Sequence, residues 1–174
     1  CVLCAAGEYQ PDQGRTTCVL CVAGEHQSLT GQASCDACAA GEYQPGTGSL
    51  VCLSCPAGHY RTGTGHVSCV ACGAGKYRNA NAASSAEPEA CTSCAAGTFQ
   101  VDAGQLSCVG CAEGRYSGGS GATACAACSI GQYTEGEGTV RCTSCPAHTY
   151  GQDAEVKSSF GAECGLCPCL LYTS

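Results

Sequence analysis

Ten Cys-x-x-Cys pairs recur along the chain, beginning at Cys1, Cys18, Cys35, Cys52, Cys69, Cys91, Cys108, Cys125, Cys142 and Cys164, and all but two of the steps are 17 residues long. A period this short excludes a single large globule. Each unit is too small to bury a core alone, so the chain reads as a linear array of small modules that stack on their neighbours.

Composition explains why the modules need cross-links. Leu, Ile, Val and Phe together number 22 of 174 residues, and 25 glycines raise the chain entropy that folding must overcome. A chain so poor in large apolar side chains stays disordered unless something else holds it. Closing a loop of about 15 residues with a disulfide removes roughly 3 kcal/mol of unfolded-state freedom in the chain-entropy account. The 21 cysteines therefore supply the stability, and they place the protein in an oxidising, extracellular compartment, secreted or on a cell-surface ectodomain.

Net charge is −7, with acids scattered singly and only seven Lys plus Arg, none clustered. Nucleic-acid binding needs a basic stripe and is not expected. No apolar run approaches the length of a membrane span, and no signal-peptide pattern precedes the repeats. The chain starts and stops inside the repeat, so a signal or anchor is expected to lie outside it.

Aligned on cysteine, a unit runs Cys-x-x-Cys-x-Ala-Gly-x-Tyr-x-x-x-x-Gly-x-x-x. The first glycine recurs as Gly7, Gly24, Gly41, Gly58, Gly75, Gly97, Gly114 and Gly131, with His148 breaking the series, and suggests a turn with φ > 0 or a close approach of two chains. The aromatic two residues on is Tyr9, Tyr43, Tyr60, Tyr77, Phe99, Tyr116, Tyr133 and Tyr150, with His26 as the single substitute. These rings are expected to be structural, lying over the disulfide of their own or the next module, rather than to form an exposed binding ladder. The second glycine, as in Pro11-Asp12-Gln13-Gly14, is expected to close a four-residue hairpin turn between two short extended arms. The fold class is thus a small disulfide-rich repeat protein, an elongated rod of tandem β-hairpin modules of 17 to 22 residues with little helix.

Two loops, Cys72 to Cys91 and Cys145 to Cys164, are longer than the rest and lie 73 residues apart. They superimpose a higher-order repeat: one leading module at 1–17, four-module units at 18–90 and 91–163, and the start of another module at 164–168. Residues 169–174 depart from the pattern, carry the odd Cys169, and read as one frame of a transposase adapter used in sequencing libraries; they are set aside.

The simplest disulfide scheme that treats every interval alike is a ladder: Cys4–Cys18, Cys21–Cys35, Cys38–Cys52, Cys55–Cys69, Cys72–Cys91, Cys94–Cys108, Cys111–Cys125, Cys128–Cys142 and Cys145–Cys164. A crossed scheme, Cys1–Cys18 with Cys4–Cys21, remains open. It would leave 22–34 and 56–68 as unstapled linkers, although they have the length and glycines of the stapled intervals.

The phrase Cys-x-x-Cys-x-x-Gly-x-Tyr followed by glycine and a further Cys-x-x-Cys resembles the ephrin-receptor-like cysteine-rich repeat, found in tandem on extracellular proteins. A single interval, Cys4-Ala5-Ala6-Gly7-Glu8-Tyr9 to Cys18, is also similar to the one-disulfide module of tumour-necrosis-factor-receptor ectodomains, in which cysteines placed like Cys4 and Cys18 are bonded. The resemblance spans residues 1–168 and implies a disulfide-laddered ectodomain. It implies no ligand, since such repeats serve as stalks, receptor necks and matrix proteins.

Rival chemistries fare worse. Four thiolates at ribbon-like spacing suit zinc, but an unbroken array in an oxidising setting offers no boundaries between sites, and neither metal nor cofactor is expected. Ten equivalent pairs without a helical period do not suit a thiol oxidoreductase. The histidines His26, His59, His66 and His148 are scattered and no nucleophile motif appears, so no catalysis is expected. Two functions remain. The first is a non-catalytic extracellular spacer or fibre building block, with self-association into fibres. The second is a receptor or adhesin that binds a protein or glycan through the long loops 73–90 and 146–163.

Overall fold

The computed structural model describes residues 3–79, 91–145, 149–151 and 164–166, with side chains described up to residue 145. Module numbers below follow the disulfide-closed intervals, module 1 being Cys4 to Cys18 and module 8 Cys128 to Cys142.

Each module opens on a turn dictated by its first glycine. In module 1 the Glu8 N–H donates to the Ala5 carbonyl (3.1 Å), and Gly7 between them has φ +84°. A positive φ at the third of four turn residues is the type II arrangement, which an L side chain resists. The same bond recurs from Glu25 to Val22, Glu42 to Ala39, His59 to Pro56, Thr98 to Ala95, Arg115 to Ala112 and Gln132 to Ser129. A two-residue strand follows the turn and pairs antiparallel with the two residues enclosed by the next Cys-x-x-Cys.

Four such hairpins lie in the first part of the chain. They are β1 (Glu8–Tyr9) with β2 (Val19–Leu20), β3 (Glu25–His26) with β4 (Asp36–Ala37), β5 (Glu42–Tyr43) with β6 (Leu53–Ser54), and β7 (His59–Tyr60) with β8 (Val70–Ala71). Strands β9 (Lys76–Tyr77) and β10 (Thr92–Ser93) flank residues 80–90. Beyond them β11 (Thr98–Phe99) pairs with β12 (Val109–Gly110), β13 (Arg115–Tyr116) with β14 (Ala126–Ala127), β15 (Gln132–Tyr133) with β16 (Thr143–Ser144), and β17 (Thr149–Gly151) with β18 (Cys164–Leu166). The register is constant: Tyr9 faces Val19, Tyr43 faces Leu53 and Phe99 faces Val109. No helix occurs among the described residues.

This geometry corrects the expected hairpin. The arms are only two residues long in modules 1 to 8 and three in the β17–β18 pair, and Pro11-Asp12-Gln13-Gly14 lies within the stretch 10–18 that joins β1 and β2 instead of forming a tight turn between them. The ladder stops early because the residue after the aromatic turns its backbone away, towards the next module.

Contacts between modules are mostly main-chain. Gly7 N–H donates to the Gln27 carbonyl (2.8 Å), Gln10 N–H to the Gln32 carbonyl (3.0 Å), and Gly31 N–H to the Cys4 carbonyl (2.8 Å), joining modules 1 and 2. Contact also reaches the second neighbour, which a nearest-neighbour array would not require. A Cβ added at Gly24 of module 2 would stand 2.3 Å from the carbonyl oxygen of Gly65 in module 4.

By backbone contacts the chain forms two compact units, residues 1–72 with 78–92, and 73–77 with 93–174. The junction pattern holds within each: in the second unit Gly97 N–H donates to the Ser117 carbonyl (2.7 Å), and a Cβ on Gly97 would meet the Gly138 carbonyl oxygen at 2.0 Å. The interior is sulfur, backbone and a few polar side chains such as Gln27 and Thr134, with Tyr133 the one buried ring among the described residues. Cys4, Cys21, Cys38, Cys72, Cys94, Cys111 and Cys128 are buried, while Leu3, Leu29, Val101 and Ile130 stand exposed.

Candidate functional site: the disulfide and hub of each module

The disulfides join Cys4–Cys18, Cys21–Cys35, Cys38–Cys52, Cys55–Cys69, Cys72–Cys91, Cys94–Cys108, Cys111–Cys125 and Cys128–Cys142. Cys145 is also disulfide-bonded, and the side chain of Cys164 lies outside the described residues. Each bond closes the stretch that begins at the type II turn and ends where the second arm starts. It thereby does for the module what a longer β-ladder would do elsewhere.

The turn glycines stand where two demands meet. Gly24 combines φ +89° with the Gly65 carbonyl at its back, and its own carbonyl accepts the N–H of Cys38 (2.9 Å). Of the sequence-derived aromatics, Tyr9, Tyr43, Tyr60, Tyr77, Phe99 and Tyr116 are half-buried and Tyr133 is buried. Tyr150 and His148 fall where no side chain is described. The substitute makes a ring-to-sulfur contact: His26 Nδ1 lies 3.3 Å from Cys52 Sγ, in the disulfide of the next module.

The most heavily bonded side chain of the module was not singled out by the sequence. It is the residue after the aromatic, Gln27 in module 2. Its carbonyl accepts Gly7 N–H and its N–H donates to the Ser49 carbonyl (3.0 Å), tying modules 1 and 3 to module 2. Its side chain is buried and clamps its own loop: Nε2 donates to the Ser34 carbonyl (3.1 Å), and Oε1 accepts the N–H of Leu29 (3.0 Å). Gln44 repeats this with the Val51 carbonyl (2.7 Å) and Gly46 N–H (3.2 Å), and Gln100 with the Ser107 carbonyl (2.9 Å) and Asp102 N–H (3.2 Å). A signal for this hub was present in Glu8-Tyr9-Gln10, Glu25-His26-Gln27, Glu42-Tyr43-Gln44 and Thr98-Phe99-Gln100, where glutamine follows the ring four times.

Elsewhere the hub is Arg61, Arg78, Ser117 or Thr134. Arg61 donates from Nη2 to His66 Nδ1 (3.0 Å), and His66 Nε2 donates in turn to the Thr62 carbonyl (2.7 Å). Arg78 donates to the His59 carbonyl (2.6 Å), and the fully buried Thr134 accepts Gly114 N–H on its own hydroxyl (2.8 Å).

No helix among the described residues is long and apolar enough to cross a membrane. The family described as Tyrosine-protein kinase ephrin type A/B receptor-like matches three times, over residues 24–68, 82–128 and 114–164, together well over half of the chain. No curated protein matches it. Tandem hairpins stapled by one disulfide each, in register with three matches to a receptor-ectodomain module, place this chain in the ephrin-receptor-like cysteine-rich repeat family.

Proposed function

We propose that the chain is a non-catalytic extracellular spacer or fibre building block, organised as four-module units over 18–90 and 91–163. The observation that carries this reading is where the recurring side chains are used. Cysteine, glycine and glutamine all act inward, on the disulfide, the turn and the hub, and the junctions between modules are mostly backbone bonds that do not depend on which side chains lie outside. Such an array can add modules without redesign, which suits a part whose task is length.

A second reading, a receptor or adhesin, draws support from exposed apolar side chains that recur at fixed places in the module. Leu50, Val67, Leu106 and Val140 share one place, and Val19, Leu53, Val70 and Val109 another. Rows of this kind suit a protein partner or a second copy of the chain.

Glycan arrays and extracellular-protein panels, probed with the chain and with a variant whose loop 73–90 is shortened to the common module length, separate the two readings. A spacer gives no saturable binding that the shortening removes. Saturable binding lost with the loop would establish the adhesin instead.

A further inference from the structure

We propose that copies of the chain dock on one another through two unlike surfaces: Leu20 and Glu8 of module 1 on one copy enter an apolar hollow beside Arg115 on the next. The inference rests on the fibre reading above and supplies the contact that such a fibre needs.

The hollow lies where module 6 meets module 7, wholly within the second unit. It has a volume of about 360 Å³, its walls are Phe99, Val109, Ala112 and Ala124, and Gly110 adds no side chain to it. Its one charged group is Arg115. Arg115 Nη1 donates to the Cys125 carbonyl (3.2 Å), which anchors the exposed guanidinium and leaves its remaining N–H donors for another acceptor. Glu113, the nearest acid in sequence, does not line the hollow. An apolar hollow with a guanidinium at its edge suits an apolar side chain that stands beside a carboxylate.

Module 1 presents that pair. Glu8 and Leu20 lie directly opposite each other across β1 and β2, so they share one side of the hairpin. Leu20 is 51% exposed, and among the described residues neither Glu8 nor Arg115 has an ion-pair partner within the chain. Comparison along the array singles out both places. Where module 1 has Leu20, the other second arms carry alanine, serine or, at Gly110, no side chain, so the row has its one large residue at module 1 and its one gap at module 6. Where module 1 has Glu8, the first arms carry Glu25 and Glu42 in modules 2 and 3 but Lys76 and Arg115 in modules 5 and 7. A second copy therefore offers the bulk and the charge that the hollow lacks. Contact between unlike surfaces leaves each copy in a pair with one surface still free, so association continues beyond the dimer unless it closes into a ring.

The test is sedimentation velocity over a concentration series, with free thiols alkylated, on the whole natural chain and on Glu8→Arg, Arg115→Glu and Leu20→Ser. Each variant installs a residue that the same place already carries, as at Arg115, Glu25 and Ser54, so the array should fold, and disulfide mapping checks that it has. The natural chain should associate beyond the dimer. Either charge reversal should weaken association by roughly 10-fold, because attraction becomes repulsion, and Leu20→Ser should weaken it as well. An equimolar mixture of Glu8→Arg and Arg115→Glu should associate better than either variant alone, because it restores a carboxylate opposite each guanidinium. A natural chain that stays monomeric, variants that associate as it does, or a mixture no better than its parts would each overturn the proposal. Each of these results would leave the spacer reading standing, since that reading is decided by binding to other molecules.

Discussion

Modules 2 and 3 have glutamine at the hub, and modules 4 and 5 have arginine. The backbone does the same work in both: Gly24 N–H donates to the Gln44 carbonyl (2.8 Å), and Gly41 N–H to the Arg61 carbonyl (2.9 Å). The side chains do not. Gln44 bonds two points of its own loop, and Gln27 the same two points and the Asp36 carboxylate besides, whereas Arg61 reaches His66 and leaves its Nε buried without a hydrogen-bond partner, and Arg78 reaches back to the His59 carbonyl. In modules 2, 3 and 4 stacking and loop closure are thus separable, glycine and the main chain setting the first and the hub side chain the second, whereas the side chains of Arg78 and Thr134 cross to the neighbouring module.

The largest expected effect comes from breaking the part that both regions share. Gly24→Ala places a Cβ 2.3 Å from a backbone oxygen that no rotamer change can move, at φ +89°. Strain and overpacking together should cost on the order of 3 kcal/mol. Gly14→Ala is the matched control: its φ is +82° but nothing lies within 4 Å, so it should lose only the strain, about 1 kcal/mol. Denaturant midpoints of the oxidised chains measure both. Equal losses would show that the close approach between modules 2 and 4 contributes nothing.

A comparable effect separates the hub side chains. Gln27→Ala removes the bonds to the Ser34 carbonyl, the Asp36 carboxylate and the Leu29 N–H, and at about 1 kcal/mol for each bond it should cost about 3 kcal/mol. Hydrogen exchange should quicken first in residues 28–35, while the amide of Gly7, held by the Gln27 carbonyl, should stay protected. Loss of protection at Gly7 would mean that the side chain also sets the stacking.

Much of this was legible in the sequence. The cysteine beat marks the modules, the positive-φ turn follows from Gly7 and its equivalents, and the family follows from the motif that joins them. The arm length was not legible. A Cys-x-x-Cys reads as a turn or a metal knuckle, yet Val19–Leu20 between Cys18 and Cys21 is a strand, because Cys18 closes one module and Cys21 opens the next. The contact of Gly24 with Gly65 was not legible either. Two glycines 41 positions apart carry no local signal of meeting, and only the winding of the array brings them together. The glutamine hub was visible as a repeated letter but not as a function, since glutamine after a strand aromatic is ordinarily a solvated residue. Burial turns it into a clamp, and burial here comes from backbone stacking rather than from apolar side chains.

The smallest effect would sharpen the comparison most. Arg61→Gln converts module 4 to the hub of module 3, with the same spacing between cysteines. Glutamine there should bond the Ser68 carbonyl and the Gly63 N–H, as Gln44 bonds Val51 and Gly46. The change removes the unpaired buried Nε, a group whose isolation costs about 1–3 kcal/mol, and also removes the donor to His66. The gain and the loss nearly cancel, so the variant should be more stable by less than about 1 kcal/mol. A clear destabilisation would show that the Arg61–His66–Thr62 chain closes its loop as firmly as glutamine does, and that the two kinds of module differ in chemistry but not in strength.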